Sequence, residues 1–135
     1  MRLLLDTYAL IYALSDPGVL SPPARAMIED PDNEVYFTPV SVWEIARKVA
    51  IGKLTAPSSN LLPAARDLFT ELPVRAEHGL LKGEFSEVDH ANSRKYDGHK
   101  DPDDRLIIAQ ALCEGLFVVT TDRVFELYGV VVLPC

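Results

Sequence analysis

The sequence has little of what marks secreted, membrane-spanning or zinc-binding proteins. Its two cysteines, Cys113 and Cys135, form no disulfide or zinc framework, so reduced thiols in a cytoplasm are expected. The longest apolar run, Tyr8 to Leu14, has about seven residues, whereas a membrane-spanning helix needs roughly twenty. Asp6 interrupts the N-terminal apolar stretch, so no signal peptide is expected. These absences predict a cytoplasmic protein that does not bind a membrane.

Several motifs of nucleotide binding and acyl transfer are also missing. The chain has no G-x-G-x-x-G, no G-x-x-x-x-G-K-[ST] and no G-x-S-x-G. The three histidines, His78, His90 and His99, lack zinc-like spacing, and we expect surface or loop positions for them. His99 and Lys100 adjoin an acidic stretch and are candidates for contact with a phosphate.

Basic residues are scarce relative to acidic ones. The chain has 13 Lys and Arg against 20 Asp and Glu, for a net charge of −7, which argues against tight, non-specific binding of nucleic acid. It does not exclude a nuclease, because acids around a metal site raise the count while a local basic rim can hold the substrate. The length and the 48% hydrophobic content fit one domain, residues 1–135, with a sizeable core.

Strand-like and helix-like patterns alternate along the chain. Strands are predicted at residues 2–5, 35–38, 72–74, 116–121 and 129–133. Helices are predicted at residues 7–14, 22–29, 41–52, 60–70, 77–81 and 102–114. Residues 82–100 are polar and are predicted to be irregular or partly helical. This alternation is typical of an α/β fold with a parallel or mostly parallel sheet and helices on both faces.

Four carboxylates occupy comparable positions in this pattern. Asp6 and Asp122 each follow a predicted strand, and Glu44 and Asp104 each fall in the first turn of a predicted helix. The carboxyl ends of parallel strands and the N-termini of the connecting helices lie at one edge of the sheet. We therefore expect the four side chains to converge at that edge.

Each of these acids also has a structural explanation when it is considered alone. Glu44 is placed to complete a capping box with Ser41. Asp101 is the expected N-cap before Pro102, and the following acids would complement the helix dipole. A carboxylate directly after the apolar residues 3–5 would be partly desolvated, which is costly without a partner. Jointly, the acids favour a site for Mg²⁺ or Mn²⁺, since these ions prefer oxygen ligands.

Four ordered blocks of sequence resemble those of PIN-domain ribonucleases and, more narrowly, of the VapC toxins of bacterial type II toxin–antitoxin systems. The blocks are Leu3-Leu4-Leu5-Asp6-Thr7, Ser41-Val42-Trp43-Glu44-Ile45-Ala46, Asp101-Pro102-Asp103-Asp104-Arg105-Leu106-Ile107-Ile108-Ala109-Gln110-Ala111 and Val118-Val119-Thr120-Thr121-Asp122. The resemblance covers essentially the whole chain. It implies a three-layer α/β/α sandwich with a mostly parallel sheet of four to five strands.

The resemblance also implies an activity and its partners. The protein would be an endoribonuclease dependent on Mg²⁺ or Mn²⁺, acting as a toxin, with Asp6, Glu44, Asp104 and Asp122 as the catalytic and metal-binding residues. RNA would be its substrate. A small cognate antitoxin would block the acidic mouth, for example through an Arg, and the toxin would form homodimers within a toxin–antitoxin hetero-oligomer.

Further residues have expected supporting roles. Thr7 or Thr121 would orient the carboxylates, and Trp43 and Tyr36 are assigned to the core. The candidates for a basic rim that binds RNA phosphates are Arg47, Lys48, Lys53, Arg94, Lys95, His99, Lys100 and Arg105.

The chain departs from the family pattern at three places. Tyr8 and Tyr12 stand where close relatives often have His and Trp, and Asp103 replaces a usual aromatic residue. The polar stretch 82–100 is longer than the usual connection. These departures bear on substrate choice and partner fit more than on the chemistry.

Two alternative functions remain. A metal-dependent phosphatase of haloacid-dehalogenase type would need a second Asp two residues after Asp6, where this chain has Tyr8. A non-catalytic PIN-like binding module would use the acids only as helix caps.

Overall fold

A computed structural model describes residues 1–55, 60–85 and 101–135 and contains one five-stranded parallel sheet. The strands are β1 (Arg2–Leu5), β2 (Glu34–Phe37), β3 (Thr70–Glu71), β4 (Phe117–Thr120) and β5 (Val132–Pro134). Their order across the sheet is β3-β2-β1-β4-β5, so β1 lies at the centre. The predicted parallel sheet is confirmed, and every pairing in it is parallel.

Helices cover both faces of the sheet. They are α1 (Thr7–Ser15), α2 (Pro22–Glu29), α3 (Pro39–Ala50), α4 (Leu61–Leu68), α5 (Ala76–Glu84) and α6 (Pro102–Glu114), with 3₁₀ turns at Pro17–Val19 and Arg123–Tyr128. Because successive side chains of a strand point to opposite faces, β1 contributes to two cores. Leu4 packs with Ile107 of α6, whereas Leu3 and Leu5 pack with Leu10 of α1. The predicted three-layer α/β/α sandwich is therefore confirmed.

Helix α3 begins earlier than predicted, and this changes the position of Glu44. Thr38 is the N-cap, and its Oγ1 accepts a hydrogen bond from the backbone N–H of Val40 at 3.2 Å. Pro39 takes the first helical position, where its fixed φ suits the helix and its missing N–H is not needed. Glu44 therefore lies in the second turn, so the predicted capping box with Ser41 and the first-turn placement are wrong.

The edge strand β3 also differs from the prediction. It pairs Thr70 with Tyr36 and Glu71 with Phe37, two residues before the predicted segment 72–74. The N–H of Leu72 makes one more bond, to the carbonyl of Phe37 at 2.8 Å, and Pro73 then has no N–H to continue the ladder. Helix α5 is longer than the predicted 77–81, and most of the polar stretch, residues 86–100, lies outside the described residues.

Several side chains lie in environments that differ from their predicted ones. Trp43 was assigned to the core but is 69% exposed, because the buried face of α3 runs through Val40, Glu44 and Ile45 instead. Conversely, His78 is fully buried in α5 rather than on the surface or in a loop. Its Nδ1 accepts a hydrogen bond from the N–H of Arg75 at 2.9 Å, which caps the helix.

Two further helical side chains are exposed. Leu68 of α4 is 64% exposed, and Cys113 of α6 is exposed as well. Neither cysteine in the described residues forms a disulfide. Among the described residues, none of the helices combines the length and apolar character needed to cross a membrane.

Candidate active site

A cavity of about 180 Å³ opens at the sheet edge where β1 and β4 end. Its lining residues are Asp6, Thr7, Tyr8, Glu44, Lys48, Asp101, Asp104, Thr121 and Asp122. All four of the predicted carboxylates are among them, although they are distributed over most of the chain. The two adjacent parallel strands contribute Asp6 and Asp122 just past their ends, and the helices α3 and α6 contribute the other two.

A larger cavity of about 780 Å³ lies at the side of the sheet, over β2 and β3. None of the four predicted carboxylates lines it. The smaller cavity is the better candidate site because its lining carries concentrated charge, whereas volume alone specifies no chemistry.

Asp6 is held rigidly at the start of α1. It is the N-cap of that helix, and its Oδ1 accepts from the N–H of Ala9 at 2.8 Å. Its Oδ2 accepts from Oγ1 of Thr120 at 2.5 Å, across the β1–β4 pair. Asp6 is 6% exposed, and the two hydrogen bonds fix the orientation of its carboxylate.

Burial raises the pKa of Asp6 to about 6. The hydrogen bonds from Thr120 and Ala9 favour the charged form and lower the pKa, while the negative charges of Glu44 and Asp122 raise it further. A cation in the cavity would instead lower the pKa of Asp6.

Glu44 is also buried, with 5% of its surface exposed, and both of its oxygens have partners. Its Oε2 accepts from Oγ1 of Thr7 at 2.5 Å, so the expected orientation of a carboxylate by Thr7 is present. The same hydroxyl lies 3.1 Å from Oγ of Ser41. Its Oε1 lies 2.8 Å from Nζ of Lys48, one helical turn further along α3.

The N-terminus of α6 forms as predicted. Oδ1 of Asp101 accepts from the N–H groups of Asp103 at 2.9 Å and Asp104 at 3.1 Å, which places Asp104 in the first turn beside the cavity. Asp103 points instead to Arg47, whose guanidinium lies 2.9 Å from its Oδ2. Burial raises the pKa of Asp103, and the charge of Arg47 opposes that shift.

Asp122 combines a structural contact with its place in the cavity. Its Oδ1 accepts from the N–H of Val124 at 2.9 Å and caps the 3₁₀ turn, and its own N–H donates to Oγ1 of Thr120 at 3.0 Å. Thr120 thus connects Asp122 to Asp6. Sequence reasoning selected Thr121 for such a role and missed Thr120, although its position at the end of a strand beside β1 was a usable signal.

The donor set fits a hard divalent cation, but the cation site is not preformed. Carboxylate oxygens are the ligands that Mg²⁺ and Mn²⁺ prefer, and a cation would offset the negative charges of Glu44 and Asp122, which add to the effect of burial on the pKa of Asp6. Within residues 1–55, 60–85 and 101–135, no three His, Cys, Asp or Glu side chains are already arranged around a common metal position. Oε1 of Glu44 contacts Nζ of Lys48 instead.

The described residues include only part of the predicted basic rim. Lys48 lines the cavity, Arg47 pairs with Asp103 beside it, and Lys53 is exposed after the end of α3. The candidates for the basic rim that fall within residues 86–100 lie outside the described residues, and so does His90. Whether these cations contact RNA stays a prediction.

The chain matches the model of the PIN domain family over residues 3–130. No curated protein sequence matches it significantly.

Solved structures give the same fold at low sequence identity. A chain in VapBC2 from Rickettsia felis, bound to a promoter DNA fragment, has a TM-score of 0.69 at 14% identity, covering 99% of this chain and 98% of that one. A chain in DNA-bound VapBC from Salmonella typhimurium has a TM-score of 0.68 at 20% identity, with coverages of 99% and 98%. A chain in VapBC-5 from Mycobacterium tuberculosis, a member of the VapBC family of toxin–antitoxin systems, has a TM-score of 0.56 at 21% identity, covering 98% and 96%.

Proposed function

The chain belongs to the PIN domain family, and from this premise we propose that it is a metal-dependent endoribonuclease acting as the toxin of a toxin–antitoxin pair. The observation that supports this most directly is the convergence of Asp6, Glu44, Asp104 and Asp122 on one cavity. Helix capping explains individual acids, but it does not require acids from four separate elements to meet. We therefore prefer an active site to the alternative of a binding module.

In this proposal the four carboxylates hold Mg²⁺ or Mn²⁺. When bound, such ions lower the pKa of a coordinated water and stabilise the leaving oxygen of a phosphodiester. Asp6 and Asp104 would be the principal ligands, and Glu44 and Asp122 would bind or orient a second ion or a water.

The neighbouring hydroxyl groups have a positioning role. Thr120 donates to Asp6 and Thr7 donates to Glu44, each at 2.5 Å, so neither carboxylate can turn freely. Charge-assisted hydrogen bonds of this kind fix direction as well as lower the pKa of the acid. The helix N-terminus at Asp104 adds partial positive charge to the same edge.

We further propose a cognate antitoxin that covers the acidic cavity, as well as a homodimer and a cytoplasmic location. The negative cavity is complementary to a cationic side chain such as Arg. The structural relatives include toxin–antitoxin complexes, which supports a protein partner of this kind. A phosphatase has less support, because Tyr8 occupies the position where that chemistry needs an Asp.

Mapping RNA ends tests the proposed activity. Purified protein is incubated with total RNA in Mg²⁺, in Mn²⁺ or in EDTA, beside Asp104→Asn and the exposed-site control Asp67→Asn. We expect new internal 5′ and 3′ ends with metal, none in EDTA and none with Asp104→Asn. Equal cleavage by Asp104→Asn, or cleavage unaffected by EDTA, would refute the proposal, and single-stranded DNA in parallel reports whether RNA is preferred.

A further inference from the structure

Lys48 lines the acidic cavity, and its amino group contacts one of the four carboxylates. Its Nζ is 2.8 Å from Oε1 of Glu44, whose side chain is 5% exposed, while the Lys48 side chain is 24% exposed. The two residues are four positions apart on α3, which is the spacing at which helical side chains meet. This is a partly desolvated ion pair, formed with one of the four carboxylates of the site.

Tyr8 holds the ammonium from a second side. Nζ of Lys48 is 3.4 Å from the Tyr8 hydroxyl and 5.0 Å from the centre of its ring, within the range of a cation–π contact. Lysine is a cation at neutral pH. Contacts from two helices direct this ammonium at Glu44.

This arrangement conflicts with a divalent ion bound at the same oxygen. Oε2 of Glu44 already accepts from Thr7, so Oε1 is the oxygen that a metal would share with, or take from, Lys48. A metal and an ammonium a few ångströms apart repel each other, and beside the buried Glu44 this repulsion is screened less than in bulk water.

We propose that Lys48 is a built-in counter-cation of Glu44, which neutralises the empty cavity and must move from Glu44 when the divalent metal binds. The inference rests on the proposed function, since the competitor is the metal of that site. Lys48 is then a positioning residue that sets the metal concentration at which the site fills. This differs from the phosphate contact that its sequence position predicted.

Calorimetric titration with Mn²⁺ alone tests the competition. The variants are Lys48→Met, Lys48→Arg and the charge-matched control Lys82→Met, whose side chain lies outside the cavity lining. We expect Lys48→Met to bind Mn²⁺ about fivefold more tightly than wild type, or about 1 kcal/mol at 1.4 kcal/mol per tenfold change. Lys48→Arg, which keeps the charge, and Lys82→Met should each stay within about twofold of wild type.

A second measurement uses the wild-type protein and does not depend on how a variant folds. Lysine labelling with acetic anhydride is followed by mass spectrometry at constant pH, with and without saturating Mn²⁺. Release from Glu44 should raise the labelling rate of Lys48 severalfold and leave that of Lys82 unchanged.

The outcomes separate this inference from the function on which it rests. If wild type binds Mn²⁺ but Lys48→Met binds it no more tightly, or if Lys48 labelling is unchanged by metal, the counter-cation role is wrong and the nuclease proposal stands. Binding by Lys48→Met but not by wild type would support the inference in its strongest form. If neither protein binds Mn²⁺, the metal site and the inference both fail.

Discussion

Replacing Asp6 with Asn should stabilise the metal-free protein, the opposite of the usual effect of changing a buried, hydrogen-bonded residue. Burial and neighbouring acids raise the pKa of Asp6 from 3.8 to about 6. Because one pKa unit corresponds to 1.36 kcal/mol, the ionised carboxylate destabilises the fold by about 3 kcal/mol at pH 7.5. The amide side chain of the Asp6→Asn variant carries no charge and therefore does not destabilise the fold in this way.

The substitution keeps most of the local hydrogen bonding. The amide oxygen can still accept from the N–H of Ala9, and the amide NH₂ can donate to Oγ1 of Thr120. One hydroxyl hydrogen bond must be redirected, which costs about 1 kcal/mol. We expect a net stabilisation of about 1–3 kcal/mol, or roughly 3–10 °C in melting temperature for a domain of this size.

The effect has a defined pH dependence. The folded protein binds the Asp6 proton more tightly than the unfolded chain, so wild type gains stability as the pH falls from above 6 toward about 4. Asp6→Asn lacks this gain, and its advantage should be present above pH 6 and vanish near pH 4. Carboxylates distant from Asp6 titrate alike in both proteins, and their contributions cancel in the difference.

Urea denaturation in EDTA at pH 7.5 and pH 4 measures both quantities. Asp67→Asn is the control, since it makes the same chemical change at an exposed position of α4. With Mg²⁺ at pH 7.5, wild type should become more stable than Asp6→Asn, because a bound metal stabilises wild type and not the variant. The reasoning is refuted if Asp6→Asn is the less stable protein in EDTA at pH 7.5, or if the difference is the same at both pH values.

Three other substitutions test separate parts of the structure. Thr120→Val removes the hydrogen bond that lowers the pKa of Asp6, so Mn²⁺ binding should reach half its maximum at a higher pH than in wild type. An unchanged midpoint in a calorimetric pH series would contradict this role of Thr120. Gly115→Ala places a side chain at φ +68 after α6 and should lower the free energy of unfolding, measured by urea denaturation, by about 1 kcal/mol. An unchanged free energy of unfolding would mean that the left-handed cap does not require glycine. Trp43→Ser should change stability by less than about 0.5 kcal/mol because the ring is 69% exposed, and a loss of several kcal/mol would show that it packs in the core after all.

The sequence alone determined the features that depend on neighbours along the chain. Asp101 and Pro102 specify the start of α6 through a cap and a fixed φ, and Gly115 specifies its end. The apolar residues before Asp6 and Asp122 specify strands, and parallel α/β geometry then brings their ends to one edge. For this reason the sheet and the approach of Asp6, Asp104 and Asp122 were predictable without coordinates, whereas Glu44 reaches the same cavity from the second turn of α3 rather than the predicted first.

Tertiary structure decided which partner each of those carboxylates has. Thr120 is 114 positions from Asp6, and Thr7 is 37 positions from Glu44, so no local pattern couples them. Lys48 has helical spacing to Glu44, yet only the packing of α3 against α1 directs its ammonium into the cavity rather than toward solvent. Local hydrogen bonding and periodicity act over a few residues, whereas burial, charge pairing and the raised pKa of Asp6 depend on which distant elements meet.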